Sequence, residues 1–187
     1  MKLQLYLLII LVMLTFTSTA QNEVKNRDSH ESESHFRVSM AVAHTLLPER
    51  TTKGTQNLVL PTFAFDIEYW LNHKWGIGLH NDLELLNFEV VESHDEVTIE
   101  REFPVLITLD VLWKPIKNFV VFTGPGIELE PNTNYFVFRM GCEYEFPFSE
   151  KWDLAPLVFY DMRDGAYNTI TFGLGVGYNF KKSKQHH

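Results

Sequence analysis

The sequence predicts an all-β fold: an antiparallel, up-and-down, eight-stranded β-barrel that crosses a membrane. Three observations carry this. The closing run Thr169 to Phe180 alternates strictly: Ile170, Phe172, Leu174, Val176, Tyr178 and Phe180 oppose Thr171, Gly173, Gly175, Gly177 and Asn179, so one face is oily and the other small and polar. Eight such runs of about 11 to 15 residues follow one another. A soluble strand averages about 5 or 6 residues, whereas a tilted membrane strand needs about 9 to 11. The chain also opens on an export signal.

Taken in order, the first element is that signal. Lys2 is followed by an apolar stretch from Leu3 to Phe16, then by the small residues Ser18-Thr19-Ala20 ahead of Gln21. The stretch is about 14 residues, short of the roughly 20 that span a bilayer as a helix. Residues 1–20 therefore read as a cleaved secretory signal peptide. Residues 21–35 are polar and charged and read as a disordered periplasmic leader, in which His30 and His35 are solvated. The barrel follows over 36–180, and 181–187 is a polar C-terminal tail.

The expected strands are 36–46, 58–71, 75–89, 99–113, 119–130, 134–147, 152–163 and 168–180. Their connections alternate. Asn72-His73-Lys74, Lys114 to Asn118 and Ser149-Glu150-Lys151 are short turns. Leu47 to Asn57 and Val90 to Thr98 are longer and richer in charge, with modest connections near Pro131-Asn132-Thr133 and Asp164-Gly165-Ala166. Short turns at one end and longer loops at the other match membrane barrels, whose short turns are periplasmic. Pro61, Pro104, Pro125, Pro147 and Pro156 fall in or near strands, where a closed barrel needs bulges to hold them.

Composition narrows the class further. The net charge of −8 argues against a nucleic-acid partner. A lone Cys142 leaves no internal disulfide to form. Aromatic residues make up 14% of the chain, with 15 Phe, which suits girdles at membrane interfaces.

The faces can be read strand by strand. Phe63, Phe65, Ile67, Tyr69 and Leu71 oppose Thr62, Ala64, Asp66, Glu68 and Trp70. Trp75, Ile77 and Leu79 oppose Gly76, Gly78, His80, Asp82 and Glu84. Val105 to Trp113 oppose Thr108 and Asp110, and Phe136 to Phe146 oppose Arg139, Gly141, Glu143 and Glu145. The run 152–163 is ambiguous, because Leu157 and Phe159 share parity with Asp153, Asp161 and Arg163. A soluble lipocalin-type barrel would turn the oily face inward. A membrane barrel turns it to lipid and packs the polar face inside. Gly and Thr on the polar face suit a crowded interior. Tyr69, Trp70, Trp75, Trp113, Tyr135, Trp152 and Tyr178 at strand ends suit interfacial girdles.

The membrane reading makes Asp66, Glu68, His80, Asp82, Glu84, Asp110, Arg139, Glu143, Glu145, Asp161 and Arg163 a structural charge network in the lumen. Buried charges must pair. Arg139, Arg163 and His80 are too few for the carboxylates of this set.

With its signal through Ala20, the hairpin series 36–180 and the closing Gly173-Leu174-Gly175-Val176-Gly177-Tyr178-Asn179-Phe180, the chain resembles the small outer-membrane β-barrels of Gram-negative bacteria. These are typified by the OmpA transmembrane domain and OmpW-like proteins. The resemblance implies an outer-membrane location and a terminal aromatic strand read by the barrel-insertion machinery. The tail Lys181 to His187 departs from that pattern.

Chemical motifs are sparse. Gly124-Pro125-Gly126 lacks the strand–loop–helix context of a phosphate loop and reads as a strand bend. His80, Asp82 and Glu84 share a strand face, and Glu92, His94, Asp95 and Glu96 form an acidic loop without calcium-loop spacing. The expectation is no catalytic, cofactor-binding or metal residue. The expected function is a non-enzymatic, monomeric outer-membrane barrel with a structural, surface-display or narrow-pore role, embedded in lipid and with a charged, largely filled lumen. Two alternatives stand beside it: a soluble exported barrel binding an apolar ligand, and a lipid-modifying barrel enzyme using His44, Ser93 and His94.

Overall fold

The structure, a computed structural model, describes residues 34–51, 54–91, 98–131, 133–164 and 166–180. The expected signal peptide and C-terminal tail, and the leader but for its last two residues, lie outside the described residues. The strands are β1 (His35–Thr51), β2 (Gly54–Trp70), β3 (Trp75–Glu84), β4 (Phe88–Val91), β5 (Thr98–Arg101), β6 (Val105–Ile116), β7 (Phe119–Leu129), β8 (Tyr135–Tyr144), β9 (Phe146–Pro147), β10 (Trp152–Arg163) and β11 (Asn168–Asn179). Neighbours pair antiparallel in the order β11-β1-β2-β3-β6-β7-β8-β10, and β10 also pairs with β11. The ring is therefore closed: an eight-stave, up-and-down barrel. Two-residue β9 resumes the β8 stave against β10 after a break at Glu145.

Period-two patterning becomes burial. Along β3 the inward Gly76, Gly78, His80, Asp82 and Glu84 are buried, while Trp75, Ile77 and Leu79 are exposed. On β1, Arg37, Ser39, Ala41, Ala43 and Thr45 point inward, and Met40 and Val42 are 55% and 69% exposed. Because side chains alternate, a slip of one residue would reverse every face, so this pattern also fixes register. The soluble-barrel alternative required the opposite orientation. On β10, Leu157 and Phe159 turn inward with Asp153, Asp161 and Arg163, which resolves its mixed parity.

Several boundaries differ from expectation. The backbone of 47–57 is not a free loop: β1 and β2 stay paired up to Thr51↔Gly54, beyond the last β1–β11 pair at Leu46↔Ile170. The expected strands 75–89 and 99–113 each break. Their outer parts, β4 and β5, form a separate two-stranded sheet off the barrel wall. The break before β6 is sharp because Phe103 sits at φ 44°, a left-handed conformation that a bulky residue rarely adopts, directly ahead of Pro104. Pro115 is not in a turn but inside β6, where the β6–β7 register shifts between Trp113 and Ile116. Lys117-Asn118 then closes the hairpin, with Asn118 at φ 67°.

The prolines inside staves fit without opening the ring. Pro125 has no N–H to donate, and the β6–β7 ladder skips there, between Thr108↔Gly126 and Val111↔Thr123, with its register unchanged. At the seam that closes the barrel, Ala41 faces Gly175, Ala43 faces Gly173 and Ser39 faces Gly177.

The short-turn end carries the aromatic girdle. Trp75 and Trp113 stack at 5.9 Å between ring centres, Phe36 meets Tyr69 at 4.8 Å, and Trp152 meets Tyr178 edge-on at 4.8 Å. Two expected girdle members are elsewhere. Trp70 and Tyr135 have inward parity and are buried in the lumen, at opposite ends.

Candidate functional site

The alternation that sends oily side chains outward concentrates charge on the axis, where each ion needs a partner. The lumen meets this with arginine hubs stacked from the short-turn end to the long-loop end.

At the short-turn end β1 places Arg37, wholly buried, at the centre of carboxylates from three other staves. It donates to Glu68 of β2, to Glu143 of β8 at 2.9 Å and to both oxygens of Asp153 of β10 at 3.2 and 2.8 Å, with Glu145 3.9 Å away. Gly177 leaves the room for this: a Cβ there would lie 2.5 Å from Arg37 Nε and 2.6 Å from Asp153 Oδ1. Trp70 Nε1 donates to Glu68 at 2.8 Å. Lys114 pairs with Glu145 at 2.8 Å and lies over the Trp70 ring. Glu68, Glu143 and Glu145 bring carboxylate oxygens within 4.8 Å of one another, and Arg37 already bridges these three groups.

In the middle, His80 Nδ1 lies 2.9 Å from Asp110 Oδ2, to which Thr108 also donates at 2.6 Å. Asp66 accepts from Ser39 Oγ at 3.2 Å. A void of about 20 Å³, room for one water, lies among Asp66, Glu68, His80, Arg139 and Glu143.

Above it, Arg139 of β8 grips Asp161 of β10 with two bonds at 2.7 and 2.9 Å and lies 2.5 Å from Asp82 of β3. Its guanidinium sits 3.9 Å above the Phe159 ring, which gives that apolar residue a reason to face a charged lumen. At the long-loop end, Arg163 donates to Glu128 and to Thr169 Oγ1 at 2.9 Å, and lies 3.7 Å from Glu84. Glu128 also accepts from Tyr167 at 2.7 Å and from Arg101 at 2.5 Å.

The structure thus brings all of the sequence-predicted lumen residues inside, distributed over these layers rather than gathered in one pocket. Sequence reasoning missed Arg37, Arg101 and Lys114, and it missed as many carboxylates, Glu128, Glu130 and Asp153, so the lumen keeps its excess of acids. Arg37 had a signal, since Arg37-Ser39-Ala41-Ala43-Thr45 alternates with Phe36-Val38-Met40-Val42. Arg101 had none: it lies on the small separate sheet, not on a stave. Of the enzyme candidates, His44 is on the outer face, 5.8 Å from Phe172 between ring centres, and Ser93 and His94 lie outside the described residues.

No protein-family model matches the chain, and no curated protein sequence matches it. Solved structures do. The chain is similar to Ail, the attachment invasion locus protein of Yersinia pestis, solved with the heparin analogue sucrose octasulfate: TM-score 0.55, 16% identity, 79% of this chain and 99% of that one. It is similar to OprG of Pseudomonas aeruginosa, with TM-score 0.52 and 14% identity over 81% and 98% of the two chains. Neisserial surface protein A gives TM-score 0.51 and 10% identity over 78% and 97%. The chain therefore shares the fold of these small eight-stranded outer-membrane β-barrels. The likeness is one of fold.

Proposed function

We propose that the protein is a non-enzymatic outer-membrane barrel that acts by display of its long-loop end at the cell surface and by its stable insertion in lipid, with a lumen closed to wide solute passage. The observation that carries this is the orientation of charge: arginine hubs cross-brace staves on the axis while Met40, Val42, Leu109, Val111 and Phe172 face outward. The fold shared with outer-membrane proteins supports the location, and the girdle at the short-turn end supports a membrane boundary there. Lipid is the partner in this reading. The barrel-insertion machinery reads the closing strand through Phe180, and the barrel works as a monomer.

The full chain, expressed in a Gram-negative host, tests this. It is expected in the outer-membrane fraction, to need detergent for extraction, and to migrate faster on a cold detergent gel than after boiling. Recovery as a detergent-free monomer from the periplasm would sink the reading.

A further inference from the structure

The long-loop end holds a second, smaller core. Leu47 of β1, Leu60 of β2, Phe88 of β4, Tyr135 of β8, and Ala166 and Tyr167 before β11 are all buried and packed together. Each of the four connections at that end contributes: Leu47 and Leu60 flank the first, Phe88 lies in the second, Tyr135 follows the third and Ala166 with Tyr167 lies in the fourth. Tyr167 meets Phe88 edge-on at 6.1 Å and Tyr135 at 6.2 Å between ring centres, so one ring joins two other connections.

Directly beneath lies Arg101. It reaches from β5, outside the barrel wall, to Glu128 at 2.5 Å, Glu130 at 3.0 Å and the carbonyl of Thr133 at 2.7 Å, and its guanidinium lies 4.9 Å from the centre of the Tyr135 ring. It thereby ties the second connection to the third, and Glu128 passes the tie to the fourth through Tyr167 and Arg163. The turn that permits this reach is the strained one at Phe103.

We propose that the described parts of the four long-side connections form one cooperative cap over the lumen and that Arg101 is its pin. This goes beyond the display reading, since it makes the displayed surface a single preorganised unit rather than four independent loops. A buried pair that loses one partner leaves the other charge uncompensated. Removing Arg101 takes one ion pair from Glu128, which keeps Arg163 and Tyr167, and another from Glu130, and it breaks the tie between the second and third connections on which the cap depends.

Hydrogen exchange by mass spectrometry on the full chain in lipid vesicles tests this, with folding checked by the cold-gel shift. Arg101→Gln is expected to raise exchange by about tenfold or more around Leu47–Leu60, Phe88, Tyr135 and Tyr167 alike, and to leave the mid-stave amides of β3 and β10 unchanged. Arg101→Lys retains the charge but not the forked reach, and should give the same pattern in weaker form. Faster exchange confined to 86–104 overturns the proposal, and so does unchanged exchange. Should Arg101→Gln fail to insert, the Lys variant decides by the same pattern. Loss of outer-membrane location in the wild-type chain would instead strike at the display reading.

Discussion

Arg37 is the ion-pair hub of the short-turn end. Four of its five N–H donors reach Glu68, Glu143 and Asp153 at once, on β2, β8 and β10, so one residue braces four of the eight staves. Arg37→Gln should lower the unfolding free energy by roughly 3–5 kcal/mol, the cost of orphaning a buried charge partner. Urea titration in vesicles checks this; a loss below about 1 kcal/mol would show that solvent or protons neutralise the carboxylates at little cost. Gly177 is the steric complement. Gly177→Ala places a methyl against Arg37 Nε and Asp153 Oδ1 and should cost about 1–3 kcal/mol by overpacking. In an Arg37→Gln background the two costs should fail to add, which a double-mutant cycle measures.

At the scale of elements, each stave separates two environments with one rule. Leu109 and Val111 of β6 face outward while Thr108 and Asp110, which alternate with them, face the lumen. Val111→Arg should cost roughly 2–4 kcal/mol if that face meets the middle of the bilayer, measured as a reduced folded fraction in vesicles, with Val111→Leu close to neutral. Equal tolerance of both would remove the lipid from the picture. This level was also the most legible in the sequence. The faces of β2, β3, β6 and β8 followed from period two, because alternation is local and survives folding unchanged. What was not legible depends on partners distant in the chain. Trp70 looked like a girdle residue until Glu68 and Lys114 gave its ring and N–H a buried place. Phe159 made sense on a charged face only once Arg139 lay over it. Glu128 met Arg101 through a hairpin outside the barrel wall, and nothing in local alternation reports such a fold-back. Strand ends at 47–57 were hidden for the opposite reason: charge density reads as loop, yet the backbone there stays paired.

For the molecule as a whole, the closed lumen we propose rests on the ion pairs of Arg37 and Arg139, with the Glu128 cluster above them. Vesicles loaded with the full chain should therefore exclude small sugars in a swelling assay about as well as protein-free vesicles, whereas an open barrel would pass them. Swelling at a porin-like rate would overturn the closed-lumen reading.

The seam between first and last staves carries a further consequence. Ala41, Ala43 and Ser39 meet Gly175, Gly173 and Gly177, and a methyl on Gly173 would stand 2.6 Å from that of Ala43. The first and last staves are thus joined, from Ser39 to Ala43, by inward pairs in which one partner has no side chain. From Ser39 to Ala43 the ring completes with no large rotamers to sort, and the one bulky side chain of this stretch of the seam, Arg37, has the bare backbone of Gly177 to lie against.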